Sequence, residues 1–187
     1  MDAIKSQILA YNPYNEREAS DKALFLQCLE TFSDLLSRNN PICHFTASNW
    51  IVNQDRTKAL LIFHNIEQMW MLTGGHADGE CDLLNVALRE AHEETGLKNI
   101  HPLNQHFASL EVFAVPPHIR KGKFISSHLH LNCGFLLEAD ETEVPKIKPD
   151  ENSAIEWMTL EDITKAINAG TMGEYYLKLI EKAKLIK

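Results

Sequence analysis

The chain has 187 residues, 44% of them apolar, 24% charged and 8% aromatic, which argues against a disordered tail or a fibrous repeat and sets the expectation of one domain with a sizeable core and at most a small appendage. Eighteen Lys and Arg against 26 Asp and Glu give a net charge of −8 with the nine His neutral, so stable binding of a nucleic-acid duplex is not expected, and a phosphorylated substrate needs cations to approach. Cys28, Cys43, Cys81 and Cys133 form no C-x-x-C pair, and no apolar run is long enough to span a bilayer. The expectation is a soluble cytoplasmic protein with reduced thiols and no membrane partner.

In chain order, Ala3 to Tyr11 reads as a short helix ended by Asn12 and Pro13. Residues 15 to 39 place Phe25, Cys28, Leu29, Phe32, Leu35 and Leu36 at helical spacing, with Asn15 and Glu18 set as a capping box and Asn39, Asn40 and Pro41 as a stop. Residues 1–41 are therefore read as an N-terminal helical extension, and 42–187 as the main domain with its C-terminal helices. From Cys43 the texture turns to β-prone runs: His44 to Val52, Lys58 to His64, Met69 to Thr73, Phe107 to Val115, Phe124 to Glu138 and Ile155 to Met158. Helices are predicted over Asp82 to Thr95, near Leu160 to Asn168 and over Glu174 to Lys184, with Gly170 and Gly173 between the last two. Strands interrupted by helices favour a layered α/β domain. The stretch from Glu138 to Ser153, with Pro145 and Pro149 among many charges, reads as the most mobile part of the core.

The chemistry concentrates between Gly74 and Leu97. At about 100° per residue, Leu84, Leu88, Ala91 and Thr95 share one helix face, and Glu90, Glu93 and Glu94 gather on another. Like charges at i+3 and i+4 each cost roughly 0.2–0.5 kcal/mol, and these three sit in the last turns before Gly96, where the helix dipole already favours cations. Arg89 is the one fixed cation nearby in sequence, and Mg2+ or Mn2+ is the natural complement of clustered carboxylates.

A glycine-rich turn after a strand, followed by a helix carrying Arg89, Glu90, Ala91, Glu93, Glu94, Gly96 and Leu97 at these spacings from Gly75, resembles the signature of the Nudix hydrolase family. The resemblance covers about Cys43 to Asn168 and implies an α/β/α sandwich with a mixed, curved sheet. It further implies that Glu93 and Glu94 are metal ligands, that the Gly74 carbonyl is another, that Glu90 is a ligand or the base for the attacking water, and that Arg89 orients it. One position departs: Cys81 stands where the family has its first glutamate, with Glu80 before it as a substitute after a one-residue slip and Asp82 after it as a helix cap. Cys81 itself reads as a small, semi-buried filler rather than a nucleophile.

His128 and His130 share the face of their strand opposite Leu129, Leu131, Cys133 and Phe135. With His76 in the Gly-Gly loop they are candidate substrate contacts, and His44 shares their ambiguity. Glu151, ranked above Glu156, is the candidate late-loop acid. Trp50, Trp70, Phe113 and Trp157 read as core. The expected function is a Mg2+- or Mn2+-dependent hydrolase that cleaves a diphosphate bond in a nucleoside diphosphate linked to another group. The rival is an inactive nucleotide- or partner-binding module on the same fold. The amphipathic N-terminal helices leave a homodimer interface open.

Overall fold

The structure, a computed structural model, describes residues 1–120, 122–166 and 171–186. Its elements are α1 (Asp2–Ala10), α2 (Glu16–Thr31), β1 (Cys43–Val52), β2 (Lys58–His64), β3 (Met69–Met71), β4 (Thr73–His76), α3 (Leu83–Thr95), β5 (Ile100–Pro102), β6 (Ser109–Val115), β7 (His118–Arg120), β8 (Lys123–Ile125), β9 (His128–Ala139), β10 (Asn152–Thr159), α4 (Leu160–Ala166) and α5 (Thr171–Leu185). The expected continuation of α4 to Asn168, and Gly170, lie outside the described residues.

An eight-stranded mixed sheet forms the centre. β1 runs parallel to β9, from Cys43 opposite Leu129 to Val52 opposite Glu138, and antiparallel to β2 and β4. Alternation along β1 supplies a core on each face of the sheet. Phe45, Ala47 and Ile51 join Val86, Ala87 and Ala91 of α3 and Phe25 of α2 in one cluster; Trp50 and Val52 join Tyr176, Leu179 and Ile180 of α5 in the other. Helices therefore cover both faces, which is the expected α/β/α sandwich. The three tryptophans and one phenylalanine read as core are so placed: Trp50 is fully buried, while Trp70, Phe113 and Trp157 pack against the two clusters.

The α2 helix starts as predicted, with Asn15 accepting from the Glu18 N–H at 2.9 Å, but it ends at Thr31 rather than near residue 39. Phe32 takes an extended conformation, and the next residues bond elsewhere. The Leu35 carbonyl accepts from Phe45 N–H of β1 at 2.7 Å, and the Asn40 side chain accepts from Ile42 and Cys43 N–H. Leu35 is buried all the same, so its helical spacing reported a core position without reporting a helix.

Three further differences are local. The Met69–Thr73 run divides, because Thr73 to His76 pair with β1 as a separate strand; the Gly-Gly element is strand, not turn. The Phe124–Glu138 run also divides, with β8 folding back on β7 as an exposed hairpin whose Gly122 has φ 75°, and β9 starting at His128. The Glu138–Ser153 stretch is tied down: Lys146 N–H bonds the Thr95 carbonyl at 2.7 Å, Glu143 accepts from Lys98 N–H at 2.8 Å, and buried Asn152 donates to the Glu94 carbonyl at 3.0 Å.

The outer edge of β6 is closed by side chains. Among the described residues β6 pairs with β9 alone. On its far side Glu18 accepts from Leu110 N–H and Asp21 from Val112 N–H, both at 3.1 Å, so two carboxylates of α2 replace the carbonyls of a missing strand. Lys178 of α5 reaches Glu18 at 2.6 Å and also pairs with Glu111, and all three side chains are buried.

Candidate active site

The site is built on the junction of β4 and α3. Asp82 caps α3, accepting from Leu84 and Asn85 N–H at 3.1 and 3.2 Å, and Gly96 closes it in the left-handed conformation at φ 67°. Leu83, Val86, Ala87 and Ala91 bury one face of the helix. Asn49 of β1 fixes the helix from below, donating to the Ala87 carbonyl at 2.8 Å. The remaining face carries the acids against the two glycines of β4.

Those glycines are demanded by space. A Cβ on Gly74 would stand 2.6 Å from the Ala47 carbonyl oxygen, and one on Gly75 would stand 2.5 Å from Glu90 Oε1. Glu90 therefore lies directly on the Gly75 backbone. Arg89 holds it there, donating to Glu90 Oε1 at 3.0 Å and to the His76 carbonyl at 3.4 Å, and reaching Glu93 at 3.9 Å. Glu94 is buried, and its Oε2 has no hydrogen-bond partner. Burial and then the charges of Glu151 and Glu90 push its carboxyl up to about 9, against the pull of the Gly74 N–H and Lys148. Glu93 is the most exposed of the three.

The loop before β10 brings the rest. Glu151 is close enough to raise Glu94, and Lys148 links it to α3, lying 3.0 Å from Glu151 and 3.4 Å from Glu93. Glu156, the lower-ranked acid, is exposed on β10 and makes no ion pair or side-chain hydrogen bond to the cluster. The sequence signals Lys148 and Asn152 only as part of a charged loop, so neither stood out as a site residue. The departure at Cys81 is also resolved. Glu80 accepts from Asp82 N–H at 2.9 Å, so it braces the cap, while Cys81 is exposed rather than semi-buried.

The histidines form a separate group. His44 and His130 face each other across β1 and β9, and His76 enters from β4, opposite Thr46. Ring centroids are 5.1 Å apart for His44 and His76, 5.0 Å for His44 and His130, and 4.8 Å for His76 and His130, with His128 5.0 Å from His44. Burial, followed by the positive field of Arg38, pushes His76 down to about 3; burial and the neighbouring rings push His130 down to about 2. Burial lowers His44 as well.

Residues 44–179 match the family model of the NUDIX domain. The chain belongs to the Nudix family. It is 33% identical over 111 residues to the m7GpppN-mRNA hydrolase NUDT17 of Xenopus laevis, covering 57% of this chain and 36% of that one, so the chain spans about a third of that relative's length. It is 29% identical over 121 residues to a probable DHNTP pyrophosphohydrolase of Lactococcus lactis, covering 63% of this chain and 68% of the relative. The fold resembles that of a Nudix-family hydrolase from Clostridium perfringens, with a TM-score of 0.52 at 22% identity, covering 77% of this chain and 98% of that one. The Nudix signature runs through β4 and α3, the two elements that place Arg89, Glu90, Glu93 and Glu94 together. Among the described residues no helix is long and apolar enough to cross a membrane.

Proposed function

We propose that the protein is a Mg2+- or Mn2+-dependent hydrolase of a nucleoside diphosphate linked to another group, cleaving the diphosphate bond by attack of water on phosphorus. The observation that carries this reading is Glu94: a buried carboxylate with an unpartnered oxygen, set between the Glu90 and Glu151 charges, is a costly arrangement that a hard cation with oxygen ligands would relieve. The donor set fits such an ion, with Glu93, Glu94, Glu90 and the Gly74 carbonyl to hold it. When bound, the ion neutralises the phosphate oxygens and makes water easier to deprotonate.

The chain's own groups divide the remaining work. Arg89 fixes Glu90 in one orientation over Gly75, so that Glu90 is placed to accept a proton from the attacking water. Glu151, whose charge acts on Glu94, is a second acceptor. Lys148 supplies positive charge toward a phosphate oxygen at the rim. The hydrolase and pyrophosphohydrolase activities in the names of the two relatives agree with this chemistry. Residues 1–41 act in this reading as a helical extension that braces the Nudix domain.

The test is a hydrolysis screen of the purified chain across nucleoside triphosphates, dinucleoside polyphosphates, nucleotide sugars, NADH and coenzyme A with Mg2+ and with Mn2+. Activity on at least one compound is expected, falling by about 10²–10⁴ in Glu93→Gln and Glu94→Gln variants that remain folded. Wild-type rates in those variants would overturn the assignment.

A further inference from the structure

We infer that His44, His76 and His130 form a second metal site, separate from the carboxylate cluster and suited to a borderline first-row ion such as Zn2+. Their ligand nitrogens all lie within 4.8 Å of one another. Tetrahedral zinc at about 2.0–2.1 Å from each nitrogen sets neighbouring nitrogens roughly 3.3–3.4 Å apart, so closure asks for ring movements of under about 1 Å. Imidazole nitrogen without carboxylate is a donor set for zinc, copper or nickel rather than for magnesium.

The two nitrogens of His44 point to a ligand there. His44 is 4% exposed, and its Nε2 has no hydrogen-bond partner, although a buried imidazole nitrogen is ordinarily satisfied. Its Nδ1 lies 3.3 Å from the Asn40 carbonyl, which fixes the tautomer with the proton on Nδ1 and leaves a lone pair on Nε2. His128 is oriented in the same way, with Nδ1 2.9 Å from the Ser126 carbonyl, and its Nε2 lies 3.3 Å from His130 Nε2. A carbonyl behind the ring, as at His44 and His128, is the usual second-shell support of a metal-binding histidine. His128 is the candidate fourth ligand.

The neighbouring charge does not forbid a cation. Arg38, whose charge acts on His44, His76 and His130, is already paired with Asp78, its Nε 2.6 Å from Oδ1 and its Nη2 on Oδ2. The three ligands come from β1, β4 and β9, strands that the chain order separates widely, so a bound ion would clamp them at the end of the sheet where β1 and β9 begin. His76 follows Gly75 directly, which ties this clamp to the backbone under Glu90.

The full chain, stripped with chelator, is titrated with Zn2+ and with Co2+ while excess Mg2+ fills the carboxylate cluster. One tightly held equivalent of Zn2+ is expected, together with intense visible bands of tetrahedral character for Co2+, and with shifts confined to the imidazole nitrogens of His44, His76, His130 and His128 in the wild-type NMR spectrum. His130→Gln should weaken Zn2+ binding by more than about 100-fold, beyond the loss typical of a second-shell partner, whereas Glu93→Gln should retain it. The inference is overturned if wild type takes up no Zn2+ in the presence of Mg2+, if His130→Gln binds as wild type does, or if the imidazole resonances stay still. The wild-type spectrum decides the matter even if the variant does not fold, and none of these readouts depends on hydrolysis.

Discussion

Lys148 Nζ lies 3.4 Å from the Glu93 carboxylate, across a sequence separation of 55 residues. The helix C-terminus that concentrates negative charge therefore draws a cation from a distant loop as well as from Arg89 beside it. Lys148 and a metal ion compete for the same field. Lys148→Met should tighten Mn2+ binding roughly 5- to 10-fold, the equivalent of about 1 kcal/mol for a partly screened charge at this distance, as measured by calorimetry at moderate salt. Binding that is weaker or unchanged would show that Lys148 does not occupy the cation's place.

Glu94 sets function against stability. Without a cation its buried, unpartnered oxygen and its two acidic neighbours make the folded state more costly. Glu94→Gln should raise the stability of the chelator-treated protein by about 1–3 kcal/mol in urea denaturation while removing hydrolysis. A destabilised variant would mean that Glu94 Oε2 already finds a partner.

Gly75→Ala is a test of fit. The added methyl falls on the Glu90 carboxylate rather than on a side chain of the core, so Glu90 must move off the β4 backbone. Turnover should fall by about 10²–10⁴, the range for a misplaced general base, with a circular dichroism spectrum like that of wild type.

The Glu18 cluster gives a pH signature. Burial alone would raise the Glu18 carboxyl, but Lys178, Tyr11 and the Tyr14 N–H hold it below the ordinary range. Between that depressed value and the usual carboxylate value the unfolded chain binds more protons than the folded one. The stabilisation is thus present at neutral pH and is lost as pH falls through the folded value. Glu111 beside it is raised by burial and contributes the opposite slope, so the quantity to measure is the difference between wild type and Glu18→Gln. That difference should be about 3 kcal/mol near pH 7 and should shrink as pH falls below the usual carboxylate range.

The elements that the sequence states plainly are those written in contiguous residues. Asp82, the apolar face of α3, and Gly96 specify cap, packing and stop within one helix, and the Nudix signature rests on the same segment. What was not legible depends on pairing across the chain. The glycines of β4 look like a turn until β1 is known to lie beside them, and Leu35 looks helical until its carbonyl is claimed by Phe45. The histidines are single residues in three runs; only the register that sets His44 against His130, and His76 against Thr46, brings them together. Lys148 is one charge among many in its loop, distinguished only by where Asn152 docks that loop.

The two carboxylates of α2 that cap Leu110 and Val112 do more than fasten a helix. Remove α2, and β6 presents a bare row of amides and carbonyls, the template on which a second molecule can add its own strand. A truncated chain beginning near Ile42 should accordingly form dimers and higher species that grow with protein concentration. On that outcome the first forty residues guard the molecule against polymerising with itself.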